Sequence, residues 1–134
     1  MLLDVPVATV TTIDAVPSAF ADALPVVPIR LAIPARPGQP DGKNAAAVVA
    51  SIERATDLAA RGLAGAVVTN PINKAALYDA GFAYPGHTEF LAALTGAVGK
   101  QIMMLVSPAL RVVPVTVHAS LRPWPPLPDR KSVV

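Results

Sequence analysis

With 134 residues, 53% of them hydrophobic and only 15% charged, the chain is long enough for one domain or part of one, and its surface is poor in charge for a free-standing monomer. A net charge of +2 disfavours nucleic acid as a partner, and the absence of cysteine excludes disulfides and thiolate zinc sites. The longest apolar run is interrupted by Asp and Pro, and no basic residue precedes Arg30, so neither a membrane span nor a signal peptide is expected.

The N-terminal 35 residues are rich in proline and are predicted to be irregular, since seven of the 15 prolines fall within residues 1–40. The β-branched content of Val5–Thr12 favours a strand. A second strand is predicted over Leu24–Ile33, where Pro25 and Pro28 restrict it to the edge of a sheet. A turn then follows at residues 36–40.

An alanine-rich helix is predicted over Asn44–Ala60, with Asp41 as its cap and Gly62 at its end. Four apolar side chains recur at steps of three and four residues and should form its buried face: Val48, Ile52, Ala55 and Ala59. The apolar run Leu63–Thr69 then has the composition of a buried parallel strand.

Two further helices and two strands are predicted beyond that run. Asn70 should cap a helix that reaches Asp79, and Thr88 should cap another that ends at Gly96. The predicted strands are Gln101–Val106 and Leu110–His118, joined by a turn at Ser107 and Pro108. This alternation predicts an α/β fold with a mainly parallel sheet, followed by a proline-rich tail over residues 122–134.

The two histidines both fall at the ends of predicted elements. His118 closes a strand, and ligands of α/β sheets bind beyond the carboxyl ends of strands. His87 and Thr88 open a helix, where unpaired backbone N–H groups and the helix dipole favour an anion such as phosphate. An equally open interpretation is that each histidine is partly buried, with its ring nitrogens hydrogen-bonded within the protein. In that case Thr88 only caps the helix.

Lys74 is a candidate contact for an anion or a carboxylate. It falls in the first turn of a predicted helix, where a positive charge opposes the helix dipole. A solvated surface lysine is the alternative. The chain has no glycine-rich dinucleotide motif after a strand and no nucleophile elbow, and its two histidines can contribute to a metal site without completing one.

A series of segments resembles the 4-hydroxythreonine-4-phosphate dehydrogenase family. The strongest is PGHTEFL at residues 85–91, together with AGAVVTNPINK at residues 64–74 and DAGF at residues 79–82. Further segments continue it in the same order: RPGQP at 36–40, MML at 103–105, LRV at 110–112 and TVH at 116–118. The resemblance covers roughly residues 36–121, which are therefore predicted to form a partial dehydrogenase domain. Residues 1–35 are predicted to be an irregular segment that precedes it, and residues 122–134 a tail unlike the family.

The resemblance implies a partial isocitrate/isopropylmalate-dehydrogenase-like fold and a cytoplasmic homodimer. It implies oxidation of 4-phosphooxy-L-threonine with NAD or NADP, followed by decarboxylation to 3-amino-2-oxopropyl phosphate in pyridoxal phosphate biosynthesis. His87 and Thr88 match the family's substrate-binding pair. His118 matches the first of three histidines that bind a divalent metal such as zinc, magnesium or cobalt, while the other two have no counterpart in this chain.

The missing metal ligands leave two functional hypotheses. The first is a dehydrogenase, complete or truncated. The second is a catalytically inactive chain that keeps only a phosphate-binding corner, which consists of His87 and Thr88 at the start of their helix. A third hypothesis, an acyl-phosphate transferase on a related fold, has no motif of its own in this sequence. An activity assay separates the first two hypotheses, and we expect this chain alone to be inactive and prone to association.

Overall fold

A computed structural model describes residues 5–114 of the chain. They divide into two compact units, with the boundary between Ala83 and Tyr84. His118, the remainder of the predicted strand Leu110–His118 and the proline-rich tail lie outside the described residues. Within the described range, no helix is long and apolar enough to cross a membrane.

The first unit opens with a short β-α-β arrangement. Strand β1 (Val7–Thr9) pairs in parallel with β2 (Leu24–Val26), with Ala8 opposite Pro25. A 3-10 turn (Ile13–Ala15) and helix α1 (Val16–Ala19) connect them. Both predicted strands are therefore confirmed, although each is shorter than expected.

Strand β2 tolerates Pro25 because the backbone nitrogen of this residue points away from β1. The N–H of Leu24 donates to the carbonyl of Pro6 at 2.8 Å, so the nitrogen of the next residue, Pro25, faces the opposite edge. Among the described strands that edge has no neighbour, and the missing N–H therefore breaks no ladder bond. The predicted restriction of this strand to a sheet edge is confirmed.

The predicted alanine-rich helix is confirmed as α2 (Ala45–Ala60), which follows a 3-10 turn (Gly42–Asn44). The carboxylate of Asp41 accepts a hydrogen bond from the N–H of Lys43 at 2.9 Å and so caps that turn. Ile52 lies at the centre of the buried face, where the hydroxyl of Thr56 donates to its carbonyl at 2.7 Å. Because this bond satisfies the hydroxyl, a polar side chain can be buried in the apolar face.

Gly62 ends α2 as predicted. Its φ of +73° lies in the left-handed region, which allows the N–H of Leu63 to reach back to the carbonyl of Leu58 at 2.9 Å. Gly96 ends the last helix in the same way, with the N–H of Ala97 bonded to the carbonyl of Ala92 at 2.8 Å.

The predicted buried strand Leu63–Thr69 is wrong for the described structure. These residues form no strand, and the side chains of Leu63 and Val68 are 47% and 96% exposed. A strand needs a neighbour for its backbone N–H and C=O groups, and no described strand pairs with this segment. Its apolar composition is typical of a strand that is covered on both faces, but the described residues do not provide that cover.

Helix α3 (Lys74–Asp79) begins later than predicted. Its cap is Asn73, whose side-chain oxygen accepts a hydrogen bond from the N–H of Ala76 at 2.9 Å. Asn70, the predicted cap, precedes this helix by four residues and lies in an irregular segment. The start was placed wrongly because both asparagines are good caps, and only Asn73 has its acceptor next to a free helical N–H.

The second unit contains helix α4 (His87–Leu94) and a short hairpin of β3 (Leu105–Val106) and β4 (Arg111–Val112). The hairpin is antiparallel, and the Ser107-Pro108 turn is confirmed, with the N–H of Ser107 bonded to the carbonyl of Leu110 at 2.8 Å. The expectation of a mainly parallel sheet is therefore met only by β1 and β2. A connection this short cannot provide the crossover that parallel strands require.

The corrected start of α3 predicts different effects for two similar substitutions. Asn73→Ala should lower the free energy of unfolding by about 1 kcal/mol because it removes the side-chain acceptor at the N-cap. Asn70→Ala, the matched control, should change it by less than about 0.5 kcal/mol, since Asn70 is exposed and outside the helix. Chemical denaturation monitored by circular dichroism measures both, and a larger loss for Asn70→Ala would contradict the corrected start.

Candidate functional site: the start of helix α4

Aromatic packing holds the start of α4 in place. The rings of Tyr84 and Phe90 lie with their centroids 4.9 Å apart and their planes tilted by 37°. Phe90 is only 3% exposed, so it anchors the first turn of the helix in the protein interior. Tilted aromatic pairs at this separation stabilise a fold beyond the burial of their area. The loop before the helix and its first turn are thereby held together.

The helix begins without a side-chain cap. Its N-cap residue is Gly86, which has extended backbone angles and no side chain that could accept a hydrogen bond. The ladder of backbone bonds starts with the N–H of Phe90, which donates to the carbonyl of Gly86 at 3.2 Å. The N–H groups of the first turn, which lack partners within a helix, therefore remain free of a side-chain cap. The prediction that Thr88 caps this helix is wrong, because Thr88 is its second residue.

His87, the first residue of α4, has a buried nitrogen without a partner. Its Nε2 atom exposes less than 1 Å² to solvent and forms no hydrogen bond to any of the described residues. A buried polar atom left in this state costs roughly 1–3 kcal/mol. The interpretation that the ring nitrogens of His87 are hydrogen-bonded within the protein is therefore not supported for Nε2 among the described residues. Next to it, the side chain of Thr88 is exposed and makes no hydrogen bond to the described residues.

The charges at this helix start are weak. Residues 84–94 contain no lysine or arginine, and the acidic Glu89 lies in the first turn of α4. A carboxylate there interacts favourably with the helix dipole but repels a second anion. An anion bound at this position would therefore depend on hydrogen bonds from the backbone N–H groups, the imidazole of His87 and the hydroxyl of Thr88.

Lys74 belongs to the first unit, where it is the first residue of α3. Its side chain is exposed and forms no ion pair with the described residues. Its predicted position in the first turn of a helix is confirmed, while its role as an anion contact stays a prediction.

A metal site is not formed by the described residues. Within residues 5–114, no group of three or more His, Asp or Glu side chains lies close enough to hold a metal ion. A divalent cation in a protein needs several such ligands, so the part of the chain that the structure describes does not fit one. His118, the predicted ligand, is outside that part, and its role stays a prediction.

The family of the chain follows from comparison with known proteins. A sequence model of the family described as pyridoxal phosphate biosynthetic protein PdxA matches residues 1–132. The chain belongs to the PdxA family. The match includes the N-terminal and C-terminal segments, which lie outside the range of the motif resemblance.

Several PdxA relatives carry the name 4-hydroxythreonine-4-phosphate dehydrogenase. The protein from Methylorubrum populi is 53% identical over 137 residues, which cover 98% of this chain and 39% of the relative. The protein from Bradyrhizobium diazoefficiens is 56% identical over 108 residues, 78% of this chain and 31% of the relative. The chain thus spans about two fifths or less of the length of these PdxA relatives.

Solved structures give the same family. A crystal structure of 4-hydroxythreonine-4-phosphate dehydrogenase from Klebsiella pneumoniae superposes with a TM-score of 0.72 and 34% identity, over 88% of this chain and 36% of that one. A putative 4-hydroxythreonine-4-phosphate dehydrogenase from Salmonella typhimurium gives a TM-score of 0.71 and 33% identity, over 89% of this chain and 37% of that one. The described fold is therefore a mixed helix and strand fold of the PdxA type.

The open start of α4 predicts that inorganic phosphate binds there. In a two-dimensional NMR titration, the amide resonances of His87, Thr88 and Glu89 should shift. Thr88→Val keeps the shape of the side chain but removes its hydroxyl, and should weaken binding by about threefold to tenfold, the value of one ordinary hydrogen bond.

Thr95→Val is the matched control in the same helix. The hydroxyl of Thr95 donates to the carbonyl of Leu91 at 2.8 Å at the opposite end of α4, so its removal should leave the phosphate affinity unchanged. Phosphate-dependent shifts that avoid residues 86–90 would rule out an anion site at the start of α4.

Proposed function

We propose that this chain carries the phosphate-binding corner of a 4-hydroxythreonine-4-phosphate dehydrogenase, with His87 and Thr88 as its substrate-binding pair. Membership of the PdxA family and the names of relatives at 53% and 56% identity support this activity class. The observation that carries the assignment to α4 is the buried Nε2 of His87, which has no partner among the described residues at an uncapped helix start. Because that nitrogen exposes less than 1 Å², a substrate phosphate would become its partner only after the side chains around it move aside.

The reaction is oxidation of the hydroxyl group of 4-phosphooxy-L-threonine, with transfer of a hydride to NAD or NADP. The resulting β-keto acid loses CO2 and leaves 3-amino-2-oxopropyl phosphate. In this scheme the chain's own contribution is binding and orientation. The first-turn N–H groups, His87 and Thr88 would hold the phosphate, so that the carbon bearing the hydroxyl is presented at a fixed distance from the helix. Remote binding of this kind contributes to catalysis when it positions the reacting group.

Other parts of the proposal concern the remainder of the site. His118 would be one ligand of a divalent metal, and Lys74 would be a further anion contact. The described residues do not form a site for that metal. The proposed enzyme is a cytoplasmic homodimer with an isocitrate/isopropylmalate-dehydrogenase-like fold, in which residues 36–121 belong to the dehydrogenase domain.

The alternative function is a catalytically inactive chain that retains only the phosphate-binding corner. It rests on the same uncapped helix start and buried Nε2 of His87, which could bind phosphate without any contribution to turnover. The two proposals differ in turnover and agree in phosphate binding.

The isolated chain should produce no reduced nicotinamide from 4-phosphooxy-L-threonine with NAD or NADP and added zinc or magnesium. The reason is that His118 alone cannot hold a divalent ion firmly. Absorbance of the reduced nicotinamide measures turnover, and a rate typical of dehydrogenases from the purified chain would contradict the inactive alternative.

A chimera tests whether the phosphate-binding corner of this chain can support dehydrogenase turnover. When this chain replaces the aligned segment of the Methylorubrum populi relative, the hybrid should turn over 4-phosphooxy-L-threonine. His87→Ala in the chimera should lower kcat/KM by about a hundredfold, since it removes a charge-assisted contact to phosphate. Lys100→Ala, an exposed substitution beyond α4, serves as the control and should have little effect. Equal activity of the chimera and its His87→Ala variant would exclude His87 from substrate binding.

A further inference from the structure

The first unit contains a cleft that the proposed function does not use. It has a volume of about 920 Å³ and lies between the turn at residues 36–39, the first turns of α2, and α3 with the loop before it. This volume is in the range of small-molecule sites in proteins. Neither Lys74 nor any residue of α4 lines it.

The walls of the cleft are fixed by specific contacts. The side-chain amide of Asn44 donates to the carbonyl of Ile33 at 3.0 Å, and its oxygen accepts from the N–H of Ile33 at 3.1 Å. These paired bonds tie the segment before the turn to the start of α2. Gly42, in the 3-10 turn that precedes α2, approaches α3 so closely that an added Cβ would lie 3.2 Å from the carbonyl oxygen of Ala76. The cleft is therefore formed between elements that are already held together.

The floor of the cleft is apolar. Ala45 and Leu77 are 7% and 3% exposed, and Val48 and Ile72 are partly buried beside them. Because Ala45 and Leu77 are already buried, the apolar surface that a ligand could cover belongs mainly to Val48 and Ile72, and covering it favours binding in proportion to the area. The floor therefore selects a molecule with an apolar body.

The rim supplies one unpaired positive charge. Arg36 lines the cleft and forms no ion pair with the described residues. Asp41 also lines the cleft and keeps its negative charge while it accepts the N–H of Lys43, and the oxygen of Asn73 accepts the N–H of Ala76. Arg36 is the cation among the described residues that line the cleft, and its guanidinium suits a carboxylate or a phosphate because it can donate two parallel hydrogen bonds.

We propose that this cleft is a second ligand site, which binds a small molecule with an apolar body and a single anionic group. The body would lie on Ala45, Val48 and Leu77, and the anionic group would pair with Arg36. The site belongs to the first unit and is separate in sequence and in composition from the phosphate-binding corner of α4. It therefore does not depend on the proposed dehydrogenase activity.

Phenyl phosphate is a suitable probe, with inorganic phosphate and phenol as its two separate halves. In NMR titrations of the full chain, phenyl phosphate should shift amide resonances at residues 36–39, 45, 48 and 77. Inorganic phosphate should shift those of residues 87–89 and leave the cleft unchanged. Arg36→Gln should weaken phenyl phosphate binding at the cleft by about tenfold or more, the effect of losing a charge-assisted hydrogen bond.

Arg54→Gln is the matched control, because Arg54 is an exposed arginine of α2 that does not line the cleft. It should leave the affinity at the cleft unchanged. Ala76→Leu adds bulk on the lining of the cleft and should also reduce binding. The proposal is overturned if Arg36→Gln and Arg54→Gln bind phenyl phosphate equally well, if inorganic phosphate shifts the cleft residues as strongly as phenyl phosphate, or if phenyl phosphate shifts only residues 86–90.

Discussion

Helix α4 starts at a glycine that cannot cap it, and the proposed function depends on this feature. Elsewhere in the described chain, Asp41 and Asn73 supply side-chain oxygens to the N–H groups that open a turn or a helix. Gly86 supplies none, and Phe90 and Tyr84 hold the first turn in place instead. A helix start that is fixed by packing but lacks a cap retains its polar donors for a ligand.

The histidine at this start strengthens the same interpretation. A buried Nε2 without a partner is a destabilising feature, which a hydrogen bond to a bound ligand would relieve. Because the neighbouring charge is the carboxylate of Glu89, the site would select an anion by directed hydrogen bonds and not by positive charge alone. That property suits a phosphate group whose orientation matters, and it agrees with the names of the relatives in the PdxA family.

Much of the local structure could be predicted from the sequence. The helix over Ala45–Ala60 and the glycines that end α2 and α4 follow from periodicity and backbone geometry within a few residues. The cap at Asn70 was misplaced because Asn73, another good capping residue, follows three residues later, whereas Thr88 was misplaced because α4 begins after Gly86 without any side-chain cap. Leu63–Thr69 could not be judged from its composition, since a strand depends on neighbours that come from elsewhere in the sequence.

The candidate site could be predicted where its residues are neighbours in the sequence, and not where folding brings distant residues together. His87 and Thr88 lie side by side in the chain, so a short motif identifies them together. The cleft beside Arg36 escaped sequence reasoning, because its walls come from residues 33–48 and 71–77 and are joined by a close approach at Gly42. No local pattern indicates such a juxtaposition.

The most direct test of the central claim is the state of the His87 imidazole in the presence of phosphate. In the His118→Asn variant, His87 is the only histidine that remains, and a long-range proton–nitrogen correlation spectrum reports on its two ring nitrogens without ambiguity. Phosphate should shift the Nε2 resonance markedly as that atom gains a hydrogen-bond partner, and should shift the Thr88 amide at the same concentrations. If the Nε2 resonance stays unchanged while phosphate binds elsewhere, the start of α4 is not a phosphate site.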